Sequence, residues 1–292
     1  MCHPVAKPMV SVIIPVRDGK AYIQECIDSV LAQDYSALDI VVVDDGSDDF
    51  DYRLLALQDP RIRVFRTAGE GVSRARNFAM KIALGEYFAF LDADDVWFPG
   101  KISAQVRYLV ERPEVAVVFG GFIRWQPDAA GNFTPPQQLV SDCGALNESD
   151  PMRSGKIYTR LLLGLLVGMN TAMIRRTIYL DCGGFDQKMR IGEDYDFWLR
   201  ISRQAEMHCL AGPVALYRIH PSSAMRNLDE TNHLVQLLAA TREKWGLDNG
   251  DGTSLSSSAF KQRVAAIHFN HGYSHFWRGS PEIAFTAFSM VP

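Results

Sequence analysis

The sequence predicts an α/β fold, a mostly parallel sheet flanked by helices, and three observations predict it. Short β-branched runs alternate with segments of helical periodicity as far as Phe119. Two of these runs end directly in acidic clusters, Asp44-Asp45 and Asp92-Ala93-Asp94-Asp95. In open α/β sheets the carboxyl ends of strands are where ligands bind. The composition, 47% hydrophobic and 22% charged over 292 residues, is that of a chain with a large packed core.

Taken in order, VSVIIPV at 10–16 and LDIVVV at 38–43 read as parallel strands buried on both faces. Between them, residues 22–33 place Ile23, Ile27, Val30 and Leu31 at helical spacing. A helix at 52–58, a strand at 62–65, a helix at 72–84 and a strand at 87–91 follow. A helix at 101–111 and a strand at 115–119 continue the rhythm. Parallel neighbours need crossovers, and these are right-handed. Residues 126–155 are rich in Pro, Gly, Asn, Asp and Ser, with Pro135-Pro136 at the centre, and predict a long irregular loop. Apolar periodicity resumes at 158–167, followed by a helix at 194–204 and a strand at 214–219. Beyond Asn227 the pattern is helical, broken by a polar turn at 248–258. Residues 264–278 and 281–290 predict a helical hairpin, with Ala265, Phe269, Tyr273, Phe276, Ala284 and Phe288 at three- and four-residue spacing. The chain thus divides into one domain over 1–225 and a C-terminal helical extension over 226–292.

The 30 Lys and Arg against 34 Asp and Glu give a net charge of −4, without the basic stripe of a nucleic-acid binder. The longest apolar run, 161–174, is interrupted by Asn170 and Thr171 and is too short for a membrane span. The first residues lack the apolar core of a secretory signal. Five cysteines (Cys2, Cys26, Cys143, Cys182, Cys209) contain no CxxC pair, which argues against a disulfide framework or a zinc knuckle. A soluble, reduced, cytoplasmic protein is expected.

Carboxylates gathered at strand ends repel one another, so a cation or hydrogen-bond donors must accompany them. Oxygen ligands suit Mg²⁺ or Mn²⁺, working with substrate phosphates. A single cluster reads more simply as a helix cap or turn; two clusters at equivalent strand ends favour a nucleotide–metal site. The first strand runs into Pro15-Val16-Arg17-Asp18-Gly19, neither a Gly-x-Gly-x-x-Gly nor a Walker loop.

SVIIPVRDG, VVVDDGS, GVSRARNFAMKIALGEYFAFLDADDVWFPGK, and GGFD followed by GEDYDFWLR together resemble the family 2 inverting, nucleotide-sugar-dependent glycosyltransferases. The resemblance covers residues 9–220 in the family's order. It implies a GT-A fold, Rossmann-like, with a donor half at about 9–125 and an acceptor half at about 126–225 on one sheet.

Position by position, the resemblance implies that Pro15 and Arg17 border the nucleobase and ribose, with Asp44 and Asp45 as the acidic pair used on the base. A carboxylate there accepts the N3–H of uracil or thymine, which favours UDP- or dTDP-sugars. Arg74 matches a position facing diphosphate or base. Arg76 and Asn77 read alternatively as helix and core supports, the reading favoured for Asn77. In the Asp-x-Asp motif, Asp92 is assigned to the ribose and Asp94 to Mn²⁺ or Mg²⁺ and the diphosphate. Asp95 reads as a cap and Trp97 as packing beneath the site; Lys101 also fits the pattern. Gly183-Gly184-Phe185-Asp186 reads as a tight turn shaping the acceptor pocket, with Gly184 at the acceptor. The family's general base falls on Asp194, and Glu193 touches the acceptor. Their plain alternative is an acidic helix start, where the dipole favours the charged carboxylate. His220, in YRIHPS, matches a histidine near metal or diphosphate; a structural histidine is an equal reading. The other six histidines show no ligand pattern.

The expected activity is transfer of a sugar from a nucleoside diphosphate donor to a carbohydrate or glycolipid acceptor, in polysaccharide or glycoconjugate synthesis. A peripheral membrane contact is assigned to the C-terminal helices. A sugar nucleotidyltransferase and a non-catalytic sugar-nucleotide binder are the competing classes.

Overall fold

Strand β1 (Val10–Val16) is mostly β-branched and is buried along its whole length. The computed structural model describes residues 7–134, 146–221 and 228–291. In it β1 pairs in parallel with β2 (Leu38–Asp44), and β2 with β3 (Ile62–Arg66). On its other side β1 pairs in parallel with β4 (Tyr87–Phe90). Successive side chains point to opposite faces. Val10, Val12, Ile14 and Val16 therefore join one core, and Ile13 the other. Helices α1 (Ile23–Leu31) and α3 (Lys101–Glu111) cover the first face with Cys26, Ile27, Val30, Ile102 and Leu109. Helix α2 (Val72–Ile82) covers the second with Ala75, Ala79 and Met80.

The register sets Val16 opposite Asp44 and Ile13 opposite Phe90. Asp92 consequently leaves the sheet level with Pro15, and both acidic clusters emerge at one edge.

The sheet is completed by β5 (Val96–Trp97), β6 (Val115–Trp125), β7 (Ser149–Gly155), β8 (Met173–Arg175) and β9 (Glu206–Arg218). The nine strands run in the order β3-β2-β1-β4-β8-β6-β9-β5, with β7 on β9. Antiparallel β8 bridges β4 and β6 and so joins the two halves. On the α2 face lie α4 (Tyr158–Leu163), α5 (Arg176–Cys182) and α6 (Glu193–Ser202), which buries Tyr195, Phe197, Trp198, Leu199 and Ile201. Because α2 and α6 share a face, the start of α6 can meet the side chains of α2. The C-terminal part folds as α7 (His233–Trp245), α8 (Ser257–Arg278) and α9 (Pro281–Ser289); its Leu238, Phe260 and Ile267 join the α2-side core.

Several boundaries differ from the sequence reading. The helix expected at 52–58 is a 3-10 helix, Tyr52–Leu57. The strand expected at 214–219 is only the outer part of β9, which begins at Glu206. The expected loop 126–155 ends in β7, stitched onto β9 despite its polar sequence SDPMRSG. β5 and β8 are too short for periodicity to reveal. Pro135-Pro136, Cys2, His3, Cys143, Ser222 and Asn227 lie outside the described residues. Among the described residues, Cys26, Cys182 and Cys209 are free thiols, and no helix is long and apolar enough to cross a membrane.

The turn at 183–186 is tied to α2 as well as to its own neighbours and to Arg200 of α6. Asn77 Nδ2 donates to the Phe185 carbonyl and Asn77 Oδ1 accepts from the Phe185 N–H, both at 2.8 Å. A Cβ on Gly184 would stand 2.2 Å from Asn77 Oδ1. Gly184→Ala is therefore expected to break both bonds and lower stability by about 1–3 kcal/mol. Urea unfolding measures it, and an unchanged midpoint would refute this account of the turn.

Candidate active site

After β4 the chain turns tightly, the Asp95 N–H donating to the Asp92 carbonyl at 3.0 Å. Asp95 is 1% exposed, and both its oxygens are engaged: Asn170 Nδ2 donates at 2.7 Å and the Arg218 N–H at 2.8 Å. It is structural, but its partners are Asn170 and Arg218 rather than the following turn that its sequence context suggested it would cap. Arg218, at the end of β9, also donates through Nε to the Asp94 carbonyl at 2.7 Å and pairs with Glu25. Its guanidinium lies 4.1–4.7 Å from the ring centres of Tyr22, Trp125 and Phe133. The turn is thus clamped from the far half of the sheet. Beneath it, buried Trp97 donates to the Asn170 carbonyl at 2.7 Å, and Lys101 Nζ sits 4.0 Å over its ring.

The clamp leaves the Asp94 carboxylate facing His220, Oδ2 to Nε2, at 2.9 Å. Burial, and then the charge of Asp92, push the Asp94 carboxyl above its usual range. His220 packs on Tyr22 with ring centres 4.8 Å apart.

Arg76, on the buried face of α2, joins the other acids. It donates to Asp92 Oδ1 at 2.6 Å and to Glu193 Oε1 at 3.0 Å, and its side chain is only 5% exposed. Gly192, at φ 80°, occupies the N-cap of α6, so Glu193 and Asp194 lie in the first helical turn. Asp194 Oδ1 accepts from the Tyr195 N–H at 2.7 Å. The helix start was expected to favour the charged form. The Asp194 carboxyl instead lies above its ordinary value of 3.8, because burial outweighs the lowering by Arg76 and by the Tyr195 N–H. Burial, opposed by Arg76, raises Glu193 as well. A raised carboxyl is what a general base working toward neutral pH requires.

On the β1–β2 side, Asp45 is almost fully buried. Oδ1 accepts from Thr67 Oγ1 at 2.7 Å and the Glu70 N–H at 2.9 Å, and Oδ2 from the Gly71 N–H at 2.7 Å. Burial alone would raise its carboxyl, but these bonds and the charge of Arg17 carry it below the usual value. One lone pair of Oδ2 remains for a further donor. Asp44 turns away, accepting from the Ser47 N–H and Arg66, both at 2.8 Å. Arg17 is more than half exposed; Pro15 is embedded in β1 opposite Val43. Arg74 is half exposed and pairs with Glu70 one turn back. The structure therefore gathers Asp92, Glu193 and Asp194 around Arg76 and sets Asp94 against His220. Asp45 holds the neighbouring loop at 67–71, and Arg74 stays at the surface.

The model of the family described as "Glycosyl transferase family 2" matches residues 11–180, which include β1, the Asp45 loop, α2 and the Asp-x-Asp turn. The chain belongs to glycosyl transferase family 2. A glycosyltransferase of Rickettsia typhi is 30% identical over 276 residues, 91% of this chain and 81% of that protein. One of Rickettsia felis is 31% identical over 235 residues, and there this chain spans 37% of the relative's length. An Escherichia coli relative, the UDP-Glc:alpha-D-GlcNAc-diphosphoundecaprenol beta-1,3-glucosyltransferase WfgD, is 28% identical over 75% of this chain and 80% of its own. Among solved structures, Staphylococcus aureus TarS 1-349 in complex with UDP superposes with a TM-score of 0.64 at 20% identity, over 97% of this chain and 81% of that one. A Pyrobaculum calidifontis mannosyltransferase in complex with GDP-Man and Mn²⁺ gives 0.61 at 21% identity, over 98% and 75%. These neighbours establish the GT-A fold for this family 2 glycosyltransferase.

Arg218 and Asn170 were not singled out from the sequence. Asn170 carried a signal: a polar residue inside an apolar run is one that finds a buried partner. Asp45 leads to a prediction. In Asp45→Asn one acceptor oxygen becomes a donor facing donors, so stability should fall by roughly 1–3 kcal/mol along with nucleotide affinity. Melting and calorimetry with UDP measure the two effects. A variant that loses UDP affinity with an unchanged melt would confine Asp45 to the base, against the loop bonds described here.

Proposed function

We propose that this glycosyltransferase is an inverting enzyme that moves a sugar from a uridine or thymidine diphosphate donor to a hydroxyl of a carbohydrate or glycolipid acceptor. The observation that carries the reading is the meeting of Asp92, from the Asp-x-Asp turn, with the Glu193-Asp194 pair across Arg76. A binder without catalysis has no use for the second pair, and a nucleotidyltransferase would need a Gly-rich loop where β1 runs into PVRDG. The free lone pair of Asp45 supports a uracil or thymine base, in keeping with the UDP and UDP-GlcNAc complexes of TarS. The diphosphoundecaprenol acceptor in the name of the E. coli relative supports a role in surface-polysaccharide synthesis.

In this reading Asp194 takes the proton of the acceptor hydroxyl as its oxygen bonds to the anomeric carbon. The bond from that carbon to the diphosphate breaks on the opposite face, and the electron pair leaves with the nucleotide. Asp94 and His220 would hold Mn²⁺ or Mg²⁺. The two side chains meet at 2.9 Å and offer one oxygen and one imidazole nitrogen, donor types that such a cation accepts. Such a cation supplies neutralisation of charge on the departing diphosphate. Asp92 orients the ribose, and Arg17 and Pro15 border the base. Gly184, with Glu193, shapes the acceptor side.

A membrane contact has a surface to use. Phe269, Tyr273, Phe276 and Trp277 line one side of α8 and are 48–65% exposed, with Phe285 of α9 at 77%. Aromatic rings of this kind settle at a lipid–water interface. Phosphatidylglycerol vesicles should co-sediment the protein and should release a Tyr273→Ser/Trp277→Ser variant. Equal sedimentation of the two would remove the stripe from the reading.

The decisive experiment is a nucleotide-sugar panel scored for UDP or dTDP release, with native protein and Asp194→Asn. The variant should keep donor affinity and melting while turnover drops roughly 10²–10⁴-fold. Native turnover should fall as pH is lowered through the Asp194 pKa, at a pH above the 3.8 of an ordinary aspartate, because only the ionised form accepts a proton. Chelation should stop turnover and Mn²⁺ or Mg²⁺ restore it. Near-native turnover by Asp194→Asn would place the base elsewhere.

A further inference from the structure

Arg76 is not bonded as a supporting arginine is. Arg175, which does support the fold, spends its guanidinium on the carbonyls of Val115, Leu109 and Arg112. Arg76 contacts two carboxylates from different halves of the site, and its Nε is buried with no partner among the described residues. Its guanidinium also lies 5.4 Å from the ring centre of Phe185, the residue that Asn77 holds in the acceptor-side turn. We propose that Arg76 is a positioning residue of the transfer reaction. Its fork fixes Asp92 and Glu193 in one arrangement, and its permanent charge keeps Asp194 in the ionised form that accepts the proton. The inference rests on Asp194 being the base.

Several groups of the described residues act on Asp194. Arg76 comes from α2, Asp92 from the turn after β4, and Glu193 and the Tyr195 N–H from its own helix. Among the described residues Arg76 is the cation that lowers the Asp194 carboxyl. Without it, three carboxylates share a buried space and Asp194 holds its proton more tightly. Lysine would keep the charge but cannot span both partners as a planar fork does.

The test follows the Asp194 carboxyl directly, in full-length protein carrying ¹³C at aspartate carboxyls. The resonance missing from Asp194→Asn identifies it, and its titration is compared across variants. Arg76→Met should move the midpoint up by about one pH unit or more, the effect of losing an adjacent opposite charge. Arg76→Gln, also neutral, serves if the methionine variant does not fold. Arg76→Lys should leave the midpoint within about half a unit of native, while turnover falls roughly 10- to 100-fold from lost alignment. Turnover is read as UDP release from UDP-glucose and UDP-GlcNAc with Mn²⁺. An unmoved midpoint in both neutral variants overturns the role of Arg76, and leaves the base assignment standing if Asp194→Asn is inactive. An active Asp194→Asn overturns the base assignment itself, whatever the titrations show.

Discussion

The organising constraint is the crowding of negative charge at one edge of a parallel sheet. In-register pairing brings Asp44, Asp45 and the Asp92–Asp95 turn to the same edge, and α6 adds Glu193 and Asp194 from above. Two unit charges 4 Å apart repel by about 1 kcal/mol in water and about 4 kcal/mol near a protein surface. The fold answers at most of these acids with a cation or an array of N–H donors. Arg66 meets Asp44, the backbone at 70–71 meets Asp45, Arg218 clamps the turn, and Arg76 meets Asp92 and Glu193. These pairings sort the acids into two groups. Asp44, Asp45 and Asp95 accept two or three donors from the protein and hold loops in place. Asp92, Asp94, Glu193 and Asp194 each show a single partner among their described bonds.

That sorting explains what the sequence made legible. β1, β2, α2 and α3 announce themselves through runs long enough to show a period, and the acidic clusters follow strands whose register guarantees a common edge. Asp95 and Asn77 were readable as supports because capping and core roles are the ordinary ones for their types. The partners of the acids were another matter. Arg218 lies 123 positions along the chain from Asp95, and Glu193 lies 117 from Arg76. No local pattern encodes such a meeting. Nor could the sign at Asp194 be read from a helix start alone: the dipole argument favours the charged form, and burial of the same first turn outweighs it.

The two-core layout determines which meetings are possible. α2 and α6 lie on one face and drive Trp198, Phe197, Ala75 and Ala79 into a shared core, which sets the first turn of α6 against the polar side of α2. β8, three residues long, holds the halves together by pairing antiparallel with both β4 and β6. A residue just before it and its own last residue carry the ties: Asn170 reaches Asp95 and Trp97, and Arg175 ties α3 to β6. A short strand with no period of its own thereby fixes the Asp-x-Asp turn relative to everything C-terminal to it.

The choice of cation at each position follows from the same electrostatics. Lys101 is fully buried, with Gln105 and the Trp97 ring as its partners among the described residues, and burial pushes its ammonium well below the ordinary lysine range. A lysine in the place of Arg76 would meet the same desolvation, but the carboxylates around it would hold its charge, support that Lys101 lacks. The guanidinium tolerates that desolvation because its charge is delocalised and weakly hydrated, and the neighbouring carboxylates raise its proton affinity further despite burial. At Arg218 three aromatic rings replace water around the charge without competing for its N–H donors, which stay on Asp94, Asp95 and Glu25. The site therefore holds its positive charges fixed by residue type and leaves protonation to vary at the carboxylates. An acid–base reaction needs that division, since a base can change its proton cheaply only where the surrounding field does not change with it.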